Sequence, residues 1–402
     1  MPVLGTGSGV VGGIYQATAS GSIANGKACI INANGTVSQA GPLPGKHAFI
    51  AVPARVFRFK LATAFDLSEV LGPTGPGTYS TAYSAGSIYA VDSYSQVSSQ
   101  EGNIRKFNFK SDGTKLFLMG ETGDDINEYT MSTAYDLTTL SFVDAYDISA
   151  KTTAPQGMDF KTDGTEVYIT TTATAVNVFQ YTLSTAWDIS TASFTRELNL
   201  TTTAAGERMT AIQFKPDGTK FYVSSGGGSG TDDIFQFSLS TAWDISTASY
   251  DSVVLDTSSY HGSTFSITFN DDGTKLYSSD YDNRNIATFS LSTAYDLSTA
   301  SFVAESPTLP FNYPVDLVFG PGGSATNDNY IGISQGAVSD GGTASIKVIG
   351  GIDTNQSGLT PNALCYINDD GTIGSTDTSV IAGQALTPTT VLIKNQYGVL
   401  FD

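Results

Sequence analysis

Leu239-Ser240-Thr241-Ala242-Trp243-Asp244-Ile245-Ser246-Thr247-Ala248-Ser249-Tyr250 decides the fold, because near copies of this stretch recur through the middle of the chain. They read LSTAWDISTASF from Leu183, LSTAYDLSTASF from Leu291, MSTAYDLTTLSF from Met131 and, more loosely, LATAFDLSEV from Leu61. A second phrase alternates with the first: FKSDGTK from Phe109, FKTDGTE from Phe160, FKPDGTK from Phe214, FNDDGTK from Phe269 and a degraded FGPGGS from Phe319. These phenylalanines lie 50 to 55 residues apart. Such a period, with strand-like content in every unit, predicts a radial or stacked β repeat.

Each unit parses into four strands, in one case near 157–160, 166–171, 177–183 and 193–200. The Asp-Gly of the DGTK phrase supplies the positive-φ turn between the first two strands. In the third strand, Phe59, Tyr129, Tyr181, Phe237 and Phe289 form one column, and Leu61, Met131, Leu183, Leu239 and Leu291 another. This period-two alternation predicts burial between neighbouring units. Asp66, Asp136, Asp188, Asp244 and Asp296 recur in every unit. They read as turn-setting acceptors of backbone N–H groups rather than as catalytic acids. The segment 56–98 begins at a third strand, and the stretch from Val315 supplies a first strand and, near 329–333, a second. Joining these remnants closes a ring and removes exposed edges. The expectation is an all-β propeller of about five four-stranded blades with a composite closing blade, six being the alternative count.

The ends carry a different pattern. Gly26-Lys27-Ala28-Cys29-Ile30-Ile31-Asn32-Ala33-Asn34-Gly35-Thr36-Val37 returns as Asn362-Ala363-Leu364-Cys365-Tyr366-Ile367-Asn368-Asp369-Asp370-Gly371-Thr372-Ile373. Upstream, Val11-Gly12-Gly13-Ile14 matches Ile349-Gly350-Gly351-Ile352. Asn-Gly and Asp-Gly between apolar runs are hairpin signals. The predicted organisation is therefore a duplicated small β module at 1–52 and 351–402 that flanks a propeller at 53–350.

Composition narrows the function. Of 402 residues, 38 are acidic and 19 basic, giving a formal charge of −19, which repels nucleic-acid phosphates and anionic membranes. The N-terminus lacks a signal-peptide pattern, and no stretch is long and apolar enough to span a membrane. Cys29 and Cys365 read as buried residues or as a bridge between the terminal modules. Two histidines and two cysteines, far apart in sequence, leave no zinc-binding spacing. Asp280-Tyr281-Asp282-Asn283-Arg284-Asn285 alternates carboxylates and amides but lacks the rest of a calcium loop. The acidic pairs Asp124-Asp125, Asp232-Asp233 and Asp369-Asp370 read as solvated turns rather than glycosidase acids. Neither a nucleophile elbow nor a phosphate-cradling loop occurs. No metal, cofactor or catalytic residue is therefore expected.

The connections between second and third strands and between units differ from unit to unit, whereas the other turns barely change. Variable loops on a rigid scaffold form binding surfaces, with drift as the alternative. The candidates on that face are Tyr260, His261, Tyr281, Asn283, Arg284 and Tyr313, aromatic rings for stacking with polar groups for orientation.

The DGTKLY and LSTAYDLSTASF phrases resemble β-propeller repeats of structural and fibre proteins of tailed bacteriophages. SGLTPNALCYINDDGTIGSTDTSVIAGQALTPTTVLIK, from Ser357, is similar to short modules of tail-fibre and capsid-decoration proteins. The resemblance implies a non-enzymatic virion protein on the surface of tail or capsid. It would be anchored to other virion proteins through its terminal modules and would present the propeller to a host-surface glycan or receptor. A homo-oligomer, by analogy a trimer, is implied as well. A purely architectural decoration protein and a glycan-cleaving virion enzyme are the alternatives.

Overall fold

The computed structural model describes residues 13–19, 23, 25–31, 37–40, 47–60, 67, 91–132, 134–172, 177–200, 208–226, 232–306, 308–309, 313–319, 330–339, 341–368, 371–375 and 380–394. The chain divides into two compact units, one made of 45–320 and one of 1–44 with 321–402.

Within 45–320, five antiparallel four-stranded sheets form. Blade I joins Asp316–Phe319 to His47–Val52, Arg55–Lys60 and Val91–Gln96. Blade II comprises Ile104–Phe109, Lys115–Gly120, Asp125–Met131 and Leu140–Asp147. Blade III comprises Pro155–Phe160, Glu166–Thr171, Asn177–Leu183 and Ala192–Asn199. Blade IV comprises Met209–Phe214, Lys220–Ser225, Asp233–Leu239 and Ala248–Asp256. Blade V comprises Thr264–Phe269, Lys275–Asp280, Ile286–Leu291 and Ala300–Glu305. The first strand of each blade lies beside the first strands of two others, in the cycle I–II–III–IV–V–I. This closed ring is a β-propeller.

Burial follows from position in the ring. Second strands such as Lys220–Ser225 are buried on both faces, because a blade has a neighbour on either side. Fourth strands such as Ala192–Asn199 are mostly exposed at the rim. The expected columns are in place: Phe59, Tyr129, Tyr181, Phe237 and Phe289 are buried, as are Met131, Leu183, Leu239 and Leu291. Leu61 lies outside the described residues.

The two repeated phrases meet and lock each other. In the DGTK turn of blade IV, Asp217 accepts hydrogen bonds from Thr219 N (3.0 Å) and Thr219 Oγ1 (2.6 Å), and Gly218 sits at φ +71°. Trp243 of the other phrase donates its N–H to Gly218 O (2.9 Å) and lays its indole over that glycine. A Cβ on Gly218 would come within 2.3 Å of the ring, so only glycine fits both the turn and the contact. Tyr135, Trp187 and Tyr295 repeat the arrangement on Gly113, Gly164 and Gly273. Asp136, Asp188, Asp244 and Asp296 then cap one-turn 3-10 helices by accepting from the N–H two residues on. They are turn-setting groups, as expected; Asp66 lies outside the described residues.

Every junction between blades carries a side-chain bridge. Asp316 accepts from Phe107 N (3.0 Å), Asp159 from Asn108 Nδ2 (3.5 Å) and Phe214 N (2.7 Å), Gln213 from Phe269 N (3.0 Å) and Ser266 from Leu317 N (3.2 Å). Further out, Arg58, Lys115, Tyr168 and Tyr222 donate to the backbone carbonyls of Tyr135, Trp187, Trp243 and Tyr295, each in the following blade.

The closing blade is composite, but not as the sequence reading had it. Its second strand is His47–Val52, paired with both Asp316–Phe319 and Arg55–Lys60. HAFIAV is an apolar run with Ala48, Phe49, Ile50 and Ala51 fully buried, like the second strands of the other blades. The stretch near 329–333 instead forms Tyr330–Ser334 in the terminal unit, which moves the propeller limits from 53–350 to 45–320.

The terminal unit holds two five-stranded sheets. The first runs Ile14–Thr18, Thr343–Val348, Tyr330–Ser334, Ala28–Ile31, Val37–Gln39. The second runs Ile352–Asp353, Thr390–Ile393, Ile381–Thr387, Leu364–Ile367, Ile373–Gly374. Taken in chain order within each sheet, both follow the same arrangement: first, fifth, fourth, second, third. Cys29 pairs with Gly332 and Cys365 with Gly383, and each ladder slips immediately afterwards. A Cβ on Gly332 or Gly383 would lie 2.0 or 2.2 Å from the carbonyl of Lys347 or Leu392. The duplication expected from sequence is therefore a duplication of topology and register, with a correction. The propeller interrupts the first module between its third and fourth strands rather than lying between two complete modules.

Candidate functional site

The first strands of blades II, III and V begin on the face of the ring that carries the variable connections. Arg105, Gln156 and Phe265 lie at those starts, each the second residue of its strand. The guanidinium of Arg105 lies 2.6 Å from Glu121 Oε2, and Glu121 also accepts from Asn103 Nδ2 (3.1 Å) and from Gln156 Nε2. On its other side, the Arg105 guanidinium carbon stands 5.5 Å from the centre of the Phe265 ring. Phe265 stacks on Tyr281 (4.5 Å between centres), and Tyr281 on Tyr313 (4.7 Å). A polar cluster and a three-ring stack thus meet at one mouth of the central channel.

Two atoms of this cluster lack partners among the described residues, Arg105 Nε and Gln156 Oε1. Gln156 is fully buried, so its unmet acceptor costs about 1–3 kcal/mol unless something outside the chain satisfies it. The outermost ring, Tyr313, is 48% exposed and holds a left-handed φ of +61°, a conformation bulky residues rarely adopt. One side of the mouth is acidic. Burial first, then the charges of Glu101, Glu121 and Asp147, raise Asp124 above the usual carboxylate range. Burial and the charges of Glu101, Asp147 and Asp124 raise Asp125, against the hydrogen bond from Asn127.

Of the six residues expected from sequence, Tyr281 and Tyr313 belong to this site. Tyr260 instead packs face to face on Phe302 (4.1 Å) and edge-on to Phe289, inside blade V. His261 is buried, with Nε2 2.6 Å from Ser278 Oγ and Nδ1 3.6 Å from Asp280 Oδ2. The order serine, histidine, aspartate is that of a nucleophilic triad, but Ser278 is fully buried and paired to Ala287 within the blade, where no substrate reaches it. Asn283 spends its amide on Asp280 Oδ2 (2.6 Å). Arg284 stands at φ +59° and closes the same turn by donating its N–H to Asp280 O (3.1 Å).

Asp280 is the centre of that turn rather than a cation ligand. Burial alone would push it up, yet the neighbouring His261 imidazole and hydrogen bonds from the N–H groups of Gly262, Asn283 and Asp282 outweigh burial and hold it at about 2. Asp232 likewise accepts from Thr264 N (2.9 Å). Asp369 and Asp370 lie outside the described residues. Arg105, Glu121, Gln156 and Phe265 escaped the sequence reading. A signal for three of them was present: the second position of the first strand changes from Arg105 to Gln156 to Phe265 between blades, whereas Glu121 follows a second strand.

Cys29 and Cys365 are free thiols in separate cores, which settles the sequence alternatives against a bridge. Burial pushes Cys29 up to about 12, against a backbone hydrogen bond that lowers it, and removes it as a nucleophile at neutral pH.

Fold and site together define a five-bladed propeller with a mixed aromatic and polar cluster at the variable-connection ends of its first strands. No family model matches the chain, and no curated protein matches it. Among solved structures it is similar to a Lactobacillus plantarum protein, at 14% identity and a TM-score of 0.38, over 66% of this chain and 68% of the other. It is also similar to the periplasmic gluconolactonase PpgL of Pseudomonas aeruginosa, at 14% identity and a TM-score of 0.37, over 71% and 77%. The virion role that the sequence resemblance implies is not carried forward: the similar solved structures are bacterial proteins, one of them a gluconolactonase, and at this distance the likeness shows the fold alone. Of the six, His261 alone is buried; Tyr260 is half-buried against blade V, and Asn283 is exposed with its amide held on Asp280. Host attachment and its architectural and glycan-cleaving alternatives are not carried forward, nor is the expectation of a chain without catalytic activity.

Proposed function

We propose that the channel mouth binds a small, neutral, polyhydroxylated ring compound, a free monosaccharide or its lactone. The observation that carries this reading is the Phe265–Tyr281–Tyr313 stack beside the unmet Arg105 Nε and Gln156 Oε1. Stacked rings present one flat face, which suits the C–H face of a sugar ring; a cage for an organic cation needs aromatic faces converging from several sides. Arg105 Nε donates to a ligand oxygen, and Gln156 Oε1 accepts from a hydroxyl. The charge of Arg105 is already matched by Glu121, and the rim is acidic, so anionic sugars are disfavoured.

Saturation-transfer NMR with a panel of monosaccharides, aldonolactones and their phosphate esters tests the reading. A neutral member is expected to bind and its phosphate ester to bind more weakly. Tyr313→Ala, an exposed position, is expected to weaken binding about tenfold, or about 1.4 kcal/mol. No binding by any panel member, or binding unchanged in Tyr313→Ala, refutes it. The same panel monitored for acid release asks whether a bound lactone is opened. Hydrolysis by the wild type that Glu121→Gln abolishes makes the site catalytic, with Glu121 as the base.

A further inference from the structure

The turns that carry the two halves of the site share one frame. In blade II, Ile104 pairs with Gly120 and Met119 with Ile126; in blade V, Thr264 pairs with Asp280 and Ser279 with Ile286. The turns 121–125 and 281–285 are therefore of equal length, and each holds a left-handed residue in the same place, Asp124 at φ +52° and Arg284 at φ +59°. Their first residues are Glu121 of the polar cluster and Tyr281 of the ring stack. Both have the same backbone anchor, Glu121 N donating to Asn103 O (3.2 Å) and Tyr281 N to Ser263 O (3.0 Å).

The side chains that fix these turns are exchanged between the blades. In blade V the second strand ends in a carboxylate, Asp280, which accepts from Gly262 N (2.9 Å) of the preceding connection and from Asp282 N (2.8 Å) of the turn, with His261 beside it. In blade II the second strand ends in Gly120, and the carboxylate comes from the connection instead. Glu101 stands where His261 does, each donating its own N–H within the connection, to Val97 O and Thr257 O (2.9 Å in both). Glu101 Oε1 accepts from Asn103 N of the connection and from Thr122 N (3.3 Å) of the turn. Space forces the exchange, since a Cβ on Gly120 would lie 2.4 Å from Glu101 Cδ. Blade III holds a neutral version: Thr152, in the same place, meets Thr171 of the second strand and accepts from Ala154 N (3.0 Å). Glu101 is fully buried, and its Oε2 has no partner among the described residues. Local costs of this kind collect at functional sites.

We propose that Glu101 is the positioning residue of the channel mouth, a clasp that aims Glu121 and does in blade II what Asp280 does for Tyr281 in blade V. By holding Asn103 N and Thr122 N on one oxygen, it fixes the backbone on both sides of the Glu121 anchor. The Glu121 carboxylate then receives Asn103 Nδ2 and the Arg105 guanidinium on Oε2, and Gln156 Nε2 on Oε1. Glu101 acts through Glu121 and lies behind it, as groups that preorganise a binding site do. The inference rests on the binding role proposed for the mouth.

Two measurements on the full chain test it. The Arg105 Nε–H resonance in proton–nitrogen correlation spectra reads the polar cluster without a ligand, and saturation-transfer NMR with the neutral sugars and lactones reads binding. Glu101→Ala is expected to move the resonance and to weaken binding about tenfold. Glu101→Gln, which keeps the acceptor, is expected to leave the resonance in place. Gly120→Asp alone is expected to move it, because the new side chain meets Glu101. Glu101→His combined with Gly120→Asp installs the blade V arrangement and is expected to bring resonance and binding back toward the wild type. A resonance indifferent to Glu101→Ala overturns the proposal, as does one that Glu101→Gln moves equally far, or a folded double variant that restores neither readout. If the resonance follows the expected pattern and no panel member binds the wild type, the clasp stands and the binding role of the mouth falls.

Discussion

Asp159 shows how much one side chain can contribute to a ring junction. It bridges blades II, III and IV, accepting from Asn108, Phe160 and Phe214, and it is half-buried between them. Burial, the largest effect, raises its carboxyl to about 7, against the backbone hydrogen bonds of Phe214 and Phe160 and the charge of Lys106. Because the folded-state value exceeds the unfolded one, the native state holds a proton that the unfolded chain releases near pH 4. Asp159 thus favours folding most below pH 4, and that contribution falls as pH rises toward 7, by roughly 3–4 kcal/mol in all. Asp159→Asn is expected to flatten stability between about pH 4 and 7, as read from urea midpoints across that range. A slope as steep as in the wild type would refute it. Lys106 and Asp316 form a buried ion pair at 2.6 Å between blades I and II. Lys106→Met leaves Asp316 buried and unpaired and is expected to cost about 3–5 kcal/mol. Adding Asp316→Asn, which removes the stranded charge and retains an acceptor for Phe107 N, is expected to restore part of that loss in the same melts.

At the scale of the element, the blade is held by two turns that need each other. Gly218 and Trp243 are 25 residues apart in sequence, yet the turn around one is completed by the N–H and ring of the other. Gly218→Ala is expected to destabilise by at least about 2 kcal/mol, from the positive φ together with the clash on the indole. Asp244→Ala, which removes the acceptor for Ser246 N and Oγ and the partly exposed partner of Arg196, is expected to cost about 1 kcal/mol. Thermal unfolding of the two variants should rank them in that order; the reverse order would place the stability of the repeat in its cap rather than in its glycine–indole contact.

For the whole molecule, the insertion is the organising fact. The propeller begins and ends on paired strands, since Ala48 lies opposite Phe319. The module it interrupts continues on both sides of Ala28–Ile31, through Val37–Gln39 and Tyr330–Ser334. Each unit therefore contains its own pairing partners. Residues 45–320 expressed alone, and a chain joining residue 44 directly to residue 321, are each expected to unfold cooperatively in circular dichroism melts. Failure of the first to fold would show that ring closure depends on the terminal unit.

Periodicity alone determined the blades, the buried columns of the third strands, the aspartate-set turns and the twofold terminal module. Each of these is a local pattern repeated in register, with Asp244 and Phe237 legible because Asp188 and Tyr181 sit in the same place one unit earlier. Only the tertiary structure decided that His47–Val52 belongs to the closing blade and Tyr330–Ser334 to the terminal sheet. An apolar run does not say which distant edge it will pair with. The candidate site was half legible: Tyr281 and Tyr313 stood out as loop aromatics, whereas Arg105, Glu121, Gln156 and Phe265 come from three blades and become neighbours only when the ring closes. His261 was misread for the complementary reason. A polar residue in a variable connection faces solvent or core according to the blade beneath it, and here Ser278 and Asp280 on the adjacent strand draw it inward.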